Sequence, residues 1–80
     1  MPSTFCPGRK WTTVTLIAGK DTLIRPNGGA WITTDGTQPM GDLRDTYPMA
    51  NGEALVLSDG LTLNVYPASP HGCHMLTMAV

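Results

Sequence analysis

Glycine and proline divide this chain into segments that are too short for ordinary helices. Nine glycines and seven prolines are spread over 80 residues, and the longest stretch without either runs from Arg9 to Ala18. That stretch is rich in threonine and other β-branched residues, which favour strands over helices. The spacing therefore predicts an all-β protein.

Six candidate strands alternate with segments rich in the residues that form tight turns. They are Trp11–Ile17, Thr22–Arg25, Ala30–Thr34, Glu53–Leu57, Leu61–Tyr66 and Cys73–Val80. Short strands at this spacing predict a small antiparallel β-sandwich or a jelly-roll-like barrel. A chain of this length forms one domain, which we place at residues 11–80.

Two segments depart from this alternation of short strands and turns. Residues 1–10 contain Pro2 and Pro7, which cannot donate to a strand ladder, so this segment is predicted to be an extended N-terminal arm. Residues 35–52 are interpreted as a long connection between strands. It is either a functional or interface-forming loop or a crossover between two sheets. One helical turn would fit within it at residues 42–47.

The segment Glu53–Tyr66 is predicted to be a β-hairpin with Ser58-Asp59-Gly60 as its loop. With Gly60 in the left-handed conformation, the apolar residues of both strands share one face. The predicted core-facing set is Leu55, Leu57, Leu61, Leu63 and Val65. The opposite face carries Ala54, Val56, Thr62 and Asn64, and suits packing against a second sheet or a neighbouring subunit.

The charge content points to a partly covered surface. Only 14% of the residues are charged, compared with roughly 25% in a typical soluble domain. This favours an oligomer or an assembly component, although uncharged polar residues also solvate a surface. A net charge of −1 with scattered basic residues argues against a nucleic-acid partner. Neither a membrane-spanning run nor a signal-peptide pattern is present, so synthesis in a cytoplasm is expected.

The densest group of chemically active side chains is His71-Gly-Cys-His74. On a strand, Cys73 and His74 point to opposite faces, so the spacing argues against a shared metal ion. A Cys73 nucleophile with His71 or His74 as its base is the alternative, but no activated-nucleophile pattern surrounds it. We therefore expect no catalytic residue, no metal and no cofactor, and no enzymatic activity.

The two cysteines, Cys6 and Cys73, leave one question open. A bridge between them would tie the predicted arm to the last strand and close a large loop, worth roughly 4 kcal/mol in chain-entropy models. A cytoplasmic origin argues against such a bond.

Trp11 and Trp31 are the other conspicuous residues. Each brings a large apolar surface with one hydrogen-bond donor, which suits a core or interface anchor. A carbohydrate-stacking platform is the alternative interpretation.

Several short motifs resemble small virion proteins of tailed bacteriophages, the β-structured proteins that decorate or cement phage heads. The motifs are Trp11-x-x-Val-x-Leu-x-Ala-Gly19, Thr22-Leu-Ile24, Trp31-Ile-Thr-Thr34, Gln38-Pro39, Gly52-Glu-Ala-Leu-x-Leu57 and Leu63-Asn-Val-Tyr-x-Ala-Ser69, followed by an apolar strand. The resemblance covers residues from about Trp11 to Val80.

This resemblance implies a structural protein that binds across the junctions of major capsid protein subunits, as a homo-oligomer with a trimer favoured. It implies a place on the capsid surface of a virion made in a bacterial cytoplasm. The alternative is a tail or fibre module that recognises a cell-surface glycan or joins tail components. The candidate interface residues are Phe5, Arg9, Trp11, Trp31, Val56, Thr62 and Asn64.

Overall fold

The computed structural model describes residues 3–36, 38 and 46–80, and these ranges contain strands but no helix. Their strands are β1 (Ser3–Cys6), β2 (Thr12–Val14), β3 (Thr22–Asn27), β4 (Ala30–Thr33), β5 (Tyr47–Met49), β6 (Leu55–Leu57), β7 (Leu63–Pro67) and β8 (Cys73–Ala79). The predicted all-β class is confirmed. Within the same ranges, no helix is long and apolar enough to cross a membrane.

The strands form two four-stranded antiparallel sheets. The first sheet has the order β1-β8-β3-β6 and the second has the order β2-β7-β4-β5. A chain that doubles back between β4 and β5 forms a ribbon of paired strands, which then rolls up. Its pairs are β1/β8, β2/β7, β3/β6 and β4/β5. This is jelly-roll connectivity, and it confirms the predicted small antiparallel β-sandwich.

The hydrophobic core lies between the two sheets. Strand alternation supplies it, as in β8, where Cys73, Met75 and Thr77 are buried while His74 and Met78 are exposed. The buried apolar residues are Cys6, Val14, Ile24, Ala30, Ile32, Met49, Leu57, Leu63, Val65, Cys73 and Met75. Both sheets contribute to this set, so burial of these side chains holds the sheets together.

The predicted hairpin at residues 53–66 is wrong, because its two strands belong to different sheets. Strand β6 pairs with β3 in the first sheet, and β7 lies between β2 and β4 in the second. Gly60 does adopt a positive φ, of 93°, but the turn around it crosses from one sheet to the other. The backbone N–H of Gly19 donates to Asp59 and ties this crossing to the turn after β2.

The leucine pattern is compatible with either arrangement, which explains the error. Leu57, Leu63 and Val65 are buried and Leu55 packs against the core, as predicted. Leu61 is 39% exposed, contrary to prediction, because it lies in the link between the sheets. Residues that face the space between two sheets look the same in sequence whether their strands pair or cross over.

The predicted N-terminal arm is a strand over part of its length. Ser3–Cys6 pairs along β8, with Cys6 directly opposite Cys73. Pro7 follows this strand, so the residues of β1 keep the N–H groups that the ladder needs. Gly8 then packs so closely on the Pro70 backbone that a side chain at this position would overlap it.

The long connection at 35–52 contains an unpredicted edge strand. Tyr47–Met49 pairs with β4 and places Pro48 opposite Trp31. Proline is tolerated there because an edge strand has one side without a ladder partner. The helical turn predicted at 42–47 falls largely outside the described residues, and its last residue, Tyr47, begins β5.

Candidate functional site

The outer face of the first sheet is apolar. The side chains that point away from the core include Phe5, Leu23, Val56, Leu76 and Met78, which we call the apolar face. Phe5 is 50% exposed, Val56 49% and Met78 40%. These residues come from all four strands of the sheet, and Leu23 lies directly between Val56 and Met78 in the strand register.

Ser3, Arg25, Asn27 and His74 share this outward side with the apolar face. Arg25 lies opposite Leu76 in the strand register and lines a shallow depression of about 90 Å³ with Leu23 and Met78. The Phe5 ring packs against the His74 ring at a centroid distance of 5.1 Å. The surface therefore combines an aromatic residue, a methionine and an arginine, the residue types that are enriched at protein interfaces.

The outer face of the second sheet carries a cluster of aromatic rings. Tyr66 lies between Trp11 and Trp31, with ring centroids 5.5 Å and 6.3 Å away and tilted ring planes. Such tilted pairs are favourable because the positive edge of one ring meets the negative face of the other. Strand register fixes part of the cluster, because Trp31 and Tyr66 are direct partners on β4 and β7.

A cleft of about 220 Å³ opens beside this cluster, and we call it the aromatic cleft. Its lining residues are Arg9, Trp31, Tyr66, Pro67, Ala68, Ser69 and Pro70. Arg9 has a φ of 64° and is the one described residue other than glycine with a positive φ. Ser69 Oγ accepts a hydrogen bond from the His71 backbone N–H, which leaves its own hydroxyl hydrogen to donate.

Polar residues also lie on this outer face. Asn64 is buried, at 1% exposure, although it points away from the core. Its Oδ1 accepts hydrogen bonds from Thr13 Oγ1 at 2.7 Å and from Gln38 Nε2 at 2.9 Å. Asn64 therefore points outward but is not exposed. The prediction that it shares an outer face with Val56 is wrong, because β6 and β7 belong to different sheets.

The predicted interface residues separate into two groups on opposite sides of the sandwich. Phe5 and Val56 belong to the apolar face of the first sheet. Arg9 and Trp31 line the aromatic cleft, and Trp11 packs beside it. Neither tryptophan belongs to the core between the sheets. Thr62 is exposed and forms an isolated bridge with Asp35.

Sequence reasoning missed residues on both surfaces. Leu76 and Met78 alternate with buried partners on β8, but that strand is apolar on both sides, so the pattern does not show which side is covered. Tyr66 follows the buried Leu63 and Val65 at the spacing of an outward residue. The alternation of inward and outward side chains along β7 was sufficient to predict that Tyr66 points away from the core.

Cys6 and Cys73 meet on the inner side of the first sheet. They are directly opposite on β1 and β8, and both are buried free thiols. Burial raises the pKa of the Cys6 thiol to about 12, and the adjacent Cys73 adds to this rise. Burial also raises the pKa of Cys73, whereas a hydrogen bond from Cys6 acts in the opposite direction.

The His71-Gly-Cys-His74 segment places its side chains apart. Cys73 is buried on the inner side and His74 is exposed on the outer side, as the strand alternation predicted. Among the residues that the structure describes, no three His, Cys, Asp or Glu side chains are grouped so as to hold a metal ion.

Comparisons with other proteins identify no relative of this chain. No protein-family model matches the chain, and no curated protein sequence or solved structure matches it either.

Proposed function

We propose that this protein is a non-enzymatic structural component of a virion, a capsid decoration or cement protein of the tailed-bacteriophage kind. It binds across the junctions of major capsid protein subunits on the capsid surface and stabilises the particle. The observation that carries the proposal is the apolar face of the first sheet. The sequence resemblance to phage head proteins supplies the kind of assembly.

The exposed apolar side chains of this face support a contact role. Phe5 is 50% exposed, Val56 49% and Met78 40%, and exposed groups of apolar residues rimmed by polar ones are typical of protein–protein contact sites. Covering this face with a second copy or with capsid subunits removes that surface from water. A homo-oligomer, with a trimer favoured, and the capsid shell are the proposed partners.

The low charge content and the fold support this proposal. With 14% charged residues, the chain has few groups to be desolvated when a surface is covered. Jelly rolls are common in viral capsid and lectin domains. Since a fold alone does not fix function, the argument depends on the apolar face.

Self-association is tested with a charge placed on the apolar face. Val56→Asp should lower the molar mass in light scattering from a multiple of 8.5 kDa towards the single-chain value, because an unpaired carboxylate is costly to bury. Thr15→Asp is the matched control, since Thr15 is exposed on another part of the surface. Equal association of the two variants would contradict the use of this face.

The virion assignment is tested separately. Virus particles purified from the source of this sequence should contain the chain in mass spectrometry, in a fixed ratio to the major capsid protein. Particles assembled with the Val56→Asp variant should lose this protein during density-gradient purification. Particles assembled with the Thr15→Asp variant should retain it. Absence of the wild-type chain from purified particles would refute the assignment.

The aromatic cleft favours a second function, a binding module for a cell-surface glycan. Trp31 and Tyr66 offer flat apolar rings to the C–H face of a sugar, and Arg9 and Ser69 offer hydrogen-bond donors beside them. The position of Arg9 suits a sugar that carries a carboxylate or a sulfate group.

An array of neutral and acidic glycans tests this second function. Trp31→Ala should abolish binding, and Arg9→Asn should weaken acidic glycans selectively, because asparagine tolerates the positive φ but lacks the charge. Tyr47→Ala is the control, since Tyr47 is 50% exposed outside the cleft. Binding unaffected by both cleft variants would exclude the site.

A further inference from the structure

The strand register brings the two cysteines of the chain together. Cys6 and Cys73 are direct partners on neighbouring antiparallel strands. Side chains at such positions have Cβ atoms about 4.5–5.5 Å apart, and a disulfide needs about 3.5–4.5 Å. A small approach of β1 to β8 therefore suffices to join the two sulfur atoms.

The surroundings of the pair are tightly packed. A Cβ added to Gly28 would lie 3.2 Å from the Cys73 Cβ, and one added to Gly72 would overlap the Cys6 carbonyl oxygen. Both cysteines are buried, at 0% and 3% exposure, so a bulky adduct on either sulfur requires β1 to stay open. A direct bond between the two sulfurs adds no atoms and fits the closed arrangement.

The position of β1 gives this bond a structural consequence. β1 is an edge strand with β8 as its single neighbour in the sheet. It carries Phe5 of the apolar face, and the turn after it carries Arg9 of the aromatic cleft. A covalent link at Cys6 would hold both residues in place.

We propose that Cys6 and Cys73 form a reversible disulfide site that fastens β1 to β8 when the protein meets a disulfide oxidant. The oxidant is a low-molecular-weight disulfide of the glutathione class. This inference is independent of the proposed function, because it depends only on the two thiols and the strand that they join.

The reaction proceeds by two thiol–disulfide exchanges. Because both sulfurs are buried, the oxidant gains access when the edge strand opens. The Cys73 thiolate attacks one oxidant sulfur, and the other sulfur leaves as a thiol. The Cys6 thiolate then attacks the Cys73 sulfur of the mixed disulfide and releases the second thiol. The oxidant disulfide is reduced, and the two protons lost by the cysteines end on the released thiols.

Attack on the oxidant requires a thiolate, so we expect the reaction to accelerate with rising pH, as the fraction of thiolate increases.

The test incubates the folded full-length chain with oxidised glutathione and counts thiols by mass spectrometry. The wild type should lose two hydrogens, carry no glutathione and remain unlinked to other chains. Its Tm should rise by about 10 °C or more and return after reduction. Cys6→Ser is the control and should show neither the mass loss nor the Tm increase.

Hydrogen exchange separates a clamp on β1 from a general effect. Oxidation should slow exchange of the β1 amides that are bonded to β8 by about tenfold or more, because opening of β1 then requires a larger unfolding event. A stable glutathione adduct, a disulfide-linked dimer, two remaining free thiols or an unchanged Tm would each overturn the proposal.

Discussion

At the scale of single residues, Asn64 is a buried amide on the outer side of a sheet. Its Oδ1 accepts from Thr13 and Gln38. Asn64→Ala should lower the free energy of unfolding by about 1–3 kcal/mol, because it removes a buried acceptor and leaves its donors without that partner. Urea denaturation measures this loss.

Thr13→Val is the companion variant for Asn64. It removes the Thr13 hydroxyl donor and should cost about 1 kcal/mol. Thr15→Val is its control, because Thr15 is exposed and should change stability by less than about 0.5 kcal/mol. Equal effects of Thr13→Val and Thr15→Val would mean that the bond to Asn64 does not stabilise the fold.

Alanine substitutions at Gly72 and Gly60 distinguish the cost of backbone strain from the cost of steric overlap. Both have a positive φ, of 89° and 93°. A Cβ on Gly60 would have no atom within 4 Å, whereas one on Gly72 would overlap the Cys6 carbonyl and lie 3.0 Å from the Phe5 ring. Gly60→Ala should cost about 1–2 kcal/mol from strain alone.

Gly72→Ala should cost more than Gly60→Ala, by roughly 2 kcal/mol, since β1 must also move away from the new methyl group. Parallel urea denaturation curves give the comparison. If the two variants are equally stable, close contact at Gly72 does not hold β1 in place.

The buried thiols predict that stability falls in alkaline solution. The pKa of Cys6 rises from 9.0 to about 12 on folding. Above pH 9 the unfolded chain therefore releases a proton that the folded chain retains, and unfolding becomes more favourable. The stabilisation is complete below pH 9 and is lost progressively up to about pH 12. This thiol contributes a slope of at most about 1.4 kcal/mol per pH unit.

Urea denaturation under reducing conditions from pH 8 to pH 11 measures this slope. Cys6→Ala lacks the Cys6 thiol, so its stability should fall less steeply over the same range. Identical slopes for the two proteins would show that Cys6 ionises equally in the folded and unfolded states.

At the scale of elements, β1 changes how the N-terminal segment should be probed. Removal of residues 1–10 deletes an edge strand and the core residue Cys6. We expect this truncation to lower stability by more than about 2 kcal/mol, so a loss of partner binding would not isolate a contact. Phe5→Thr changes the apolar face while keeping a residue suited to a strand.

Phe5→Thr should leave the free energy of unfolding within about 1 kcal/mol of the wild type, because Phe5 is half exposed. In light scattering it should weaken self-association. A normal association constant for this variant would place the contact surface away from β1.

Strand propensity predicted most of the strands, and the prediction failed at a strand that contains a proline. The segments around β3, β4 and β8 were found from β-branched and apolar residues. β5 was missed because Pro48 lies at its centre, where a proline is normally tolerated only in an edge strand. Pro26 and Pro67 also lie within strands of this fold, but near the ends of β3 and β7. Whether β5 lies at an edge depends on the arrangement of all the strands, which local sequence does not contain.

At the scale of the whole molecule, the class of fold could be predicted but the pairing of its strands could not. Turn residues and alternation indicate short strands, and two packed sheets follow from their number. In a jelly roll, however, the partner of β6 is β3 rather than its neighbour β7. The local leucine pattern is the same in both cases.

The candidate surfaces were only partly predictable for the same reason. Trp31 and Arg9 were identified by residue type, but they lie far apart in sequence and form one cleft through the fold. The apolar face likewise assembles from four strands. Proximity of this kind depends on topology.

The place of β8 in the first sheet has a consequence for biosynthesis. β1 and β8 are far apart in sequence, yet β8 lies between β1 and β3 and pairs with both. Until residues 73–79 have left the ribosome, β1 lacks this partner and the first sheet cannot close. Assembly of the first sheet therefore waits for β8, although β1 and β3 are synthesised well before it.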